Sequence, residues 1–200
     1  FSLSGAVIPA GQEHVTITVR LPVQPRDEPW HLRMAGVASI DGRRIGHQAR
    51  PADDQMQAFA YHHLVPAQEL MVLAIGRGAS SRIASKTPAV VSVGHETLVV
   101  FIVPSGRGSD RAVAELREAP EGISVGPCHL RGTRLEVALR CDPAKLKTGW
   151  RGNLILEAFT ERESQPGKVS RSSLGLLPAL PIAITPAGSP EALAAISSRD

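Results

Sequence analysis

Aromatic side chains make up only 4% of this 200-residue chain, as four Phe, two Trp and one Tyr. Any core must therefore be assembled from Val, Leu, Ile and Ala. Cysteine is nearly absent: Cys128 and Cys141 are the only two, too few for a disulfide framework. With only His129 close by, they also make a poor zinc set. No apolar run approaches the roughly 20 residues of a helical membrane span, so no such span is expected. Neither sign of charge dominates, with 22 basic and 19 acidic residues and a net charge of +3. The basic residues, mostly Arg, are scattered and never run longer than Arg43-Arg44, with no aromatic platform between them. A nucleic-acid surface needs a clustered stripe, and none is present. Also missing are the P-loop, the Rossmann fingerprint, HExxH and EF-hand spacing. The GxSxG match at residues 122–126 (GISVG) falls on turn and strand pieces rather than on the strand-to-helix elbow that a serine nucleophile needs.

What the chain has is punctuation. Its 16 Pro and 18 Gly are spread along its length, as many short strands with turns require. Residues 14–21 (HVTITVRL) alternate as a strand, and residues 30–40 predict another, interrupted at Gly36. Asp41-Gly42 is a hairpin turn signal, with residues 43–49 as the return strand. Pro66 prevents a long helix, and residues 69–75 (ELMVLAI) read as a buried strand. Residues 76–87 (GRGASSRIASKT) read as a linker. After it, strands are predicted over 89–93, 97–103, 112–118, 123–128, 134–141 and 153–160, with a polar loop over 161–172. Asp142-Pro143 opens a single capped turn, and residues 189–196 read as a short C-terminal helix. The division expected is 1–83, 84–186 and a tether with helix over 187–200.

Several blocks carry a resemblance: IPAGQEHVTITV, GVASIDGRR, PADDQMQAFAYHHLVPAQEL, EAPEGISV, GWRGNLILEAF and LGLLPALPIAI. They resemble the tandem immunoglobulin-like region of planctomycete-type secreted or envelope proteins, which often carry pre-peptidase C-terminal domains. The likeness covers the chain to about Thr185 and is most specific in the central, GNL and LPALP blocks. It implies an all-β protein of two immunoglobulin-like sandwich units, with an extracytoplasmic location. About five strands before the linker are too few for a sandwich. The first unit is therefore expected to lack its leading strands and to be completed by another chain or fragment. No signal peptide pattern follows Phe1, so the chain reads as mature or trimmed.

The densest stretch for a site is residues 51–75, with Asp53, Asp54, His62, His63 and Glu69. These are the candidate metal ligands, yet neighbouring His62 and His63 would point to opposite faces of a strand. The favoured reading is that the acids satisfy a turn while one His packs and the other is solvated. Trp30 and Trp150 are the candidate ligand-binding residues, as a sugar-stacking platform. Glu13, Asp54 and Glu157 are the carboxylates available for glycoside hydrolysis. For the two thiols, a turn over 130–133 would set Cys128 near Leu135 and leave Cys141 further along. A simple hairpin cannot then join them, although a bend into another sheet would. The expectation is a non-catalytic structural or interaction module without a cofactor. Its partners would be other chains or domains of one envelope assembly, or glycans. The alternatives are a carbohydrate-binding module and a metal-dependent hydrolase.

Overall fold

The computed structural model describes residues 1–22, 24, 27–57, 60–74, 80–104, 111–165 and 168–187. The regular structure is all-β. In chain order β1 (Ser2–Ser4) and β2 (Thr18–Arg20) come first, then β3 (Trp30–Leu32), β4 (Ala35–Ile40), β5 (Arg43–Gln48), β6 (Ala52–Met56), β7 (His62–Pro66) and β8 (Leu70–Val72). There follow β9 (Arg82–Ile83), β10 (Ala89–Ser92), β11 (Glu96–Ile102), β12 (Arg111–Glu118) and β13 (Ile123–Arg131). The last are β14 (Arg134–Cys141), β15 (Arg151–Gln165), β16 (Lys168–Leu176) and β17 (Leu180–Thr185). The chain forms two compact units: one joins Phe1–Leu21 to Ala79–Asp200, and the other is Pro22–Gly78.

The first unit holds the core. One sheet runs β13-β14-β11-β9; the other runs β10-β17-β15-β12, with β16 also pairing β15. Side chains alternate between the faces of β11 and β14, so Val99, Phe101, Leu135, Val137 and Leu139 all point inward and are fully buried. From the other sheet Val91, Leu154, Leu156, Leu180, Ile182 and Ile184 join the same cluster. Each such side chain contributes about 1.5–3 kcal/mol through burial. The core is aliphatic around a single buried Phe, as the shortage of aromatics requires.

Four sequence expectations are corrected here. Residues 80–87 are not a linker: Ile83 pairs with Phe101, and Ser85 Oγ accepts from Val100 N at 2.8 Å. The polar stretch 161–172 is not a loop, because β15 and β16 continue as a ladder through Glu161↔Arg171 and Glu163↔Val169. Polarity there marks a two-stranded ribbon without a covered face. The hairpin register differs by two residues, with Cys128 opposite Val137 and Ile123 opposite Cys141. At about 3.4 Å per residue the two thiols lie far beyond disulfide reach along the strands, and both are free. Finally, the unit boundaries fall at 21/22 and 78/79 rather than near 83. The C-terminal helix expected over 189–196 lies outside the described residues.

The reason the first residues leave the expected first domain is a seam of hydrogen bonds. Asn153 Nδ2 donates to Gly5 O at 2.7 Å and to Thr16 O at 2.8 Å. Ser4 Oγ donates to Ala179 O at 2.9 Å, and Ala179 N donates to Thr18 Oγ1 at 2.8 Å. Gly5 adopts φ +73°, and a Cβ there would land on the Asn153 amide. The GNL and LPALP blocks are thus neighbours, with Asn153 opposite Pro181 and Leu154 opposite Leu180. Together they clamp residues 2–18 to the sandwich-like unit.

The second unit is three two-stranded ladders: β3–β8, β4–β5 and β6–β7. The Asp41-Gly42 turn forms as its residues predict, with φ +51° and +76°. Ala49 N to Met34 O and Ala67 N to Pro51 O extend two of the ladders. Among the described residues of Pro22–Gly78, none is buried. The strand expected to be buried, 69–75, is represented by β8, where Met71 is exposed. A lone ladder has nothing to cover either face, so period-two patterning alone leaves its apolar side chains in water.

Candidate interaction surface

The residues nominated as metal ligands fall on β6 and β7, and the register separates them. Asp54 faces Leu64 and Met56 faces His62, so Asp54 and His62 share one face. Asp53 and His63, opposite Val65 and Gln55, share the other. His62 Nδ1 lies 3.0 Å from Asp54 Oδ1 in an exposed pair. Glu69 contacts a residue that the sequence reading did not single out, its Oε2 lying 3.0 Å from His31 Nδ1. Among the described residues, no group of three or more His, Cys, Asp or Glu is placed to hold a metal ion.

The two tryptophans belong to different units. Trp30 is half-buried in β3, opposite Val72. Trp150 packs against the core cluster of the first unit, its ring lying over Gly152, where a Cβ would overlap it. That glycine explains the GWRG spacing: the indole needs a neighbour without a side chain.

Of the three nominated carboxylates, Glu157 is built into a polar lattice on the outer face of β12, β15 and β16. Two bulges aim its partners. Arg117 is the extra residue between Leu116 and Glu118 on β12, and a second irregularity lies between Ser173 and Gly175 on β16. Arg117 Nε donates to Glu157 Oε2 at 2.7 Å, and Ser173 Oγ donates to Glu157 Oε1 at 2.7 Å. The Ser173 hydrogen bond first, and Arg117 next, hold the Glu157 carboxyl below its ordinary range. Arg171 spans Glu115 at 2.7 Å and Glu161 at 2.9 Å. Phe159 lies between two guanidiniums, 5.1 Å from Arg171 and 5.9 Å from Arg117. Every charge in this set answers another, so the face holds three strands in register. Glu13 is exposed on the N-terminal segment.

The second unit leaves large apolar side chains exposed on its ladders. Leu64 is 75% exposed, Met56 69% and Ile40 54%, all on ladders without a core, and Tyr61 beside β7 is 68% exposed. Met56 and Leu64 share one face of β6–β7, and an apolar face left in water marks a contact surface. No helix among the described residues is long and apolar enough to cross a membrane.

No family model, curated protein or solved structure matches this chain. The reading of the surface therefore rests on its own chemistry. Two features escaped the sequence: the Glu157 lattice and the Asn153 seam. The alternating Glu and Arg of β12 (RAVAELRE) and β15 hinted at the first. Nothing local signals the second, because Asn153 and Gly5 are 148 positions apart.

Proposed function

We propose that this chain is a non-catalytic structural and interaction module of a larger extracytoplasmic protein. Its first unit is a rigid immunoglobulin-like carrier, and its second unit offers the contact surface. The observation that carries this reading is the contrast between the two. One has a single aliphatic core, and the other exposes Met56, Leu64, Ile40 and Val37 on ladders with no buried residue among those described. An isolated two-stranded ladder is marginal in water, so an exposed apolar one is retained for what it touches.

The strand order supports the immunoglobulin-like part. Taking β9, β11, β14 and β13 as A, B, E and D reproduces one sheet of that fold; β12, β15 and the β16/β17 pair supply C, F and G. The location rests on the resemblance of the GNL, LPALP and central blocks to planctomycete-type envelope proteins. Two measurements test the proposal together. A tagged chain in its source cell is expected in the envelope or secreted fraction, and a soluble cytoplasmic protein would sink the location. Replacing residues 30–72 with a short glycine-serine loop is expected to keep the first unit folded and abolish association with the envelope. Undiminished association would remove the second unit as the contact surface.

A further inference from the structure

The second unit's two longer ladders are complementary to each other. Directly opposed residues share a face, so Ala38 and Ile45, Ile40 and Arg43, and Gly36 and His47 lie on one side of β4–β5. Ile40 is 54% exposed and Ile45 39%. On β6–β7 one face carries Ala52, Asp54, Met56, His62, Leu64 and Pro66. The charge on the Ile40 face of β4–β5 is Arg43 and that on the Leu64 face of β6–β7 is Asp54, while Arg44 and Asp53 lie on the opposite faces. The β4–β5 ladder carries no acid between Ala35 and Ile40 or Arg43 and Gln48, and β6–β7 carries neither Lys nor Arg. One ladder is therefore apolar and basic, the other apolar and acidic. Yet no ladder hydrogen bonds join them, and their aliphatic side chains stay in water.

We propose that two copies of this chain associate through the second unit, the Ile40/Arg43 face of one packing on the Leu64/Asp54 face of the other. The proposal rests on the reading of this unit as a contact surface and names its partner. A two-fold dimer makes any such contact twice, since residue i meets j and j meets i. One copy carries both halves of the match, so two copies satisfy four apolar faces with no further component. A foreign partner would have to present a basic and an acidic apolar face at once. In the dimer Arg43 reaches Asp54, whose Oδ1 already holds His62. Ile40 and Ile45 cover Met56 and Leu64. Charge fixes which faces meet, and the aliphatic residues supply the affinity.

The test is sedimentation velocity of the full chain over a concentration series, with amide hydrogen exchange read over residues 35–66. A dimer with protected ladder amides is expected. Arg43→Glu is expected to raise the dimer dissociation constant at least tenfold and to expose the ladders to exchange. The double variant Arg43→Glu/Asp54→Arg, which swaps the charges, is expected to dimerise again. Unfolding of the first unit serves as the folding control and is expected to be the same in all three. A monomer at every concentration with rapidly exchanging ladders overturns the second copy as partner but leaves a contact surface for another chain. A monomer with protected ladders overturns both readings, since the chain would then be covering its own faces. A dimer indifferent to Arg43→Glu places the interface elsewhere and overturns this proposal.

Discussion

Asn153 acts at the scale of a single residue, because one amide satisfies two carbonyls, Gly5 O and Thr16 O, on a distant segment. Removing it leaves both to find water. Asn153→Ala is expected to destabilise the first unit by about 1–3 kcal/mol, read as a lower midpoint in denaturant. Faster amide exchange over residues 2–4 should accompany it. Gly5→Ala should cost more, since it combines strain at φ +73° with overlap on the same amide. The double variant should cost less than the sum, because the two residues share one contact. Glu157 makes a second prediction. Its folded-state pKa is depressed, so it adds stability above its unfolded value, and that stability is lost as pH falls through the folded value. Side-chain carboxyl NMR should show Glu157 titrating below the ordinary glutamate range, and Ser173→Ala or Arg117→Ala should move it up.

At the scale of elements, the same alternating pattern has two outcomes. In β11 alternate residues reach a core, and Phe101 is fully buried. In β7 the alternate residue Leu64 is 75% exposed. Phe101→Ala is therefore expected to cost about 3–5 kcal/mol in the first unit. Leu64→Ala should leave that transition unchanged within about 0.5 kcal/mol. Thermal unfolding of both variants decides this, and a large loss from Leu64→Ala would mean that the ladder supports the first unit. Burial also pushes both thiols, Cys128 and Cys141, above the ordinary range. Native-state alkylation near neutral pH should therefore be slow, becoming fast on unfolding.

At the scale of the whole molecule, the chain places Pro22–Gly78 between two segments of one unit. Within it residues 30 and 72 are neighbours, since Trp30 pairs with Val72 and Leu32 with Leu70. A short loop can therefore replace residues 30–72 without stretching the chain. That variant is expected to retain a single cooperative unfolding transition in calorimetry. The fragment 22–78 alone, at concentrations where it is monomeric, is expected to give none, because a ladder without a core cannot offset its chain entropy. A cooperative transition in the fragment would show that it carries a core of its own.

The sequence by itself determined what local chemistry can determine. Pro and Gly spacing set the all-β class, the lack of aromatics set an aliphatic core, and Asp41-Gly42 set its own turn. Asp142 capped the turn as its position predicts, its Oδ1 accepting from Ala144 N at 2.9 Å. The separation of His62 from His63 followed from strand alternation. Tertiary structure alone decided which segments belong together. Residues 1–21 joined the later unit because Asn153 lies beside Gly5 in space, and no periodicity reports a contact across 148 positions. The apparent linker at 80–87 became an edge of a sheet for the same reason. Alternation marks which side chains share a face, but whether another sheet covers that face is a property of the fold.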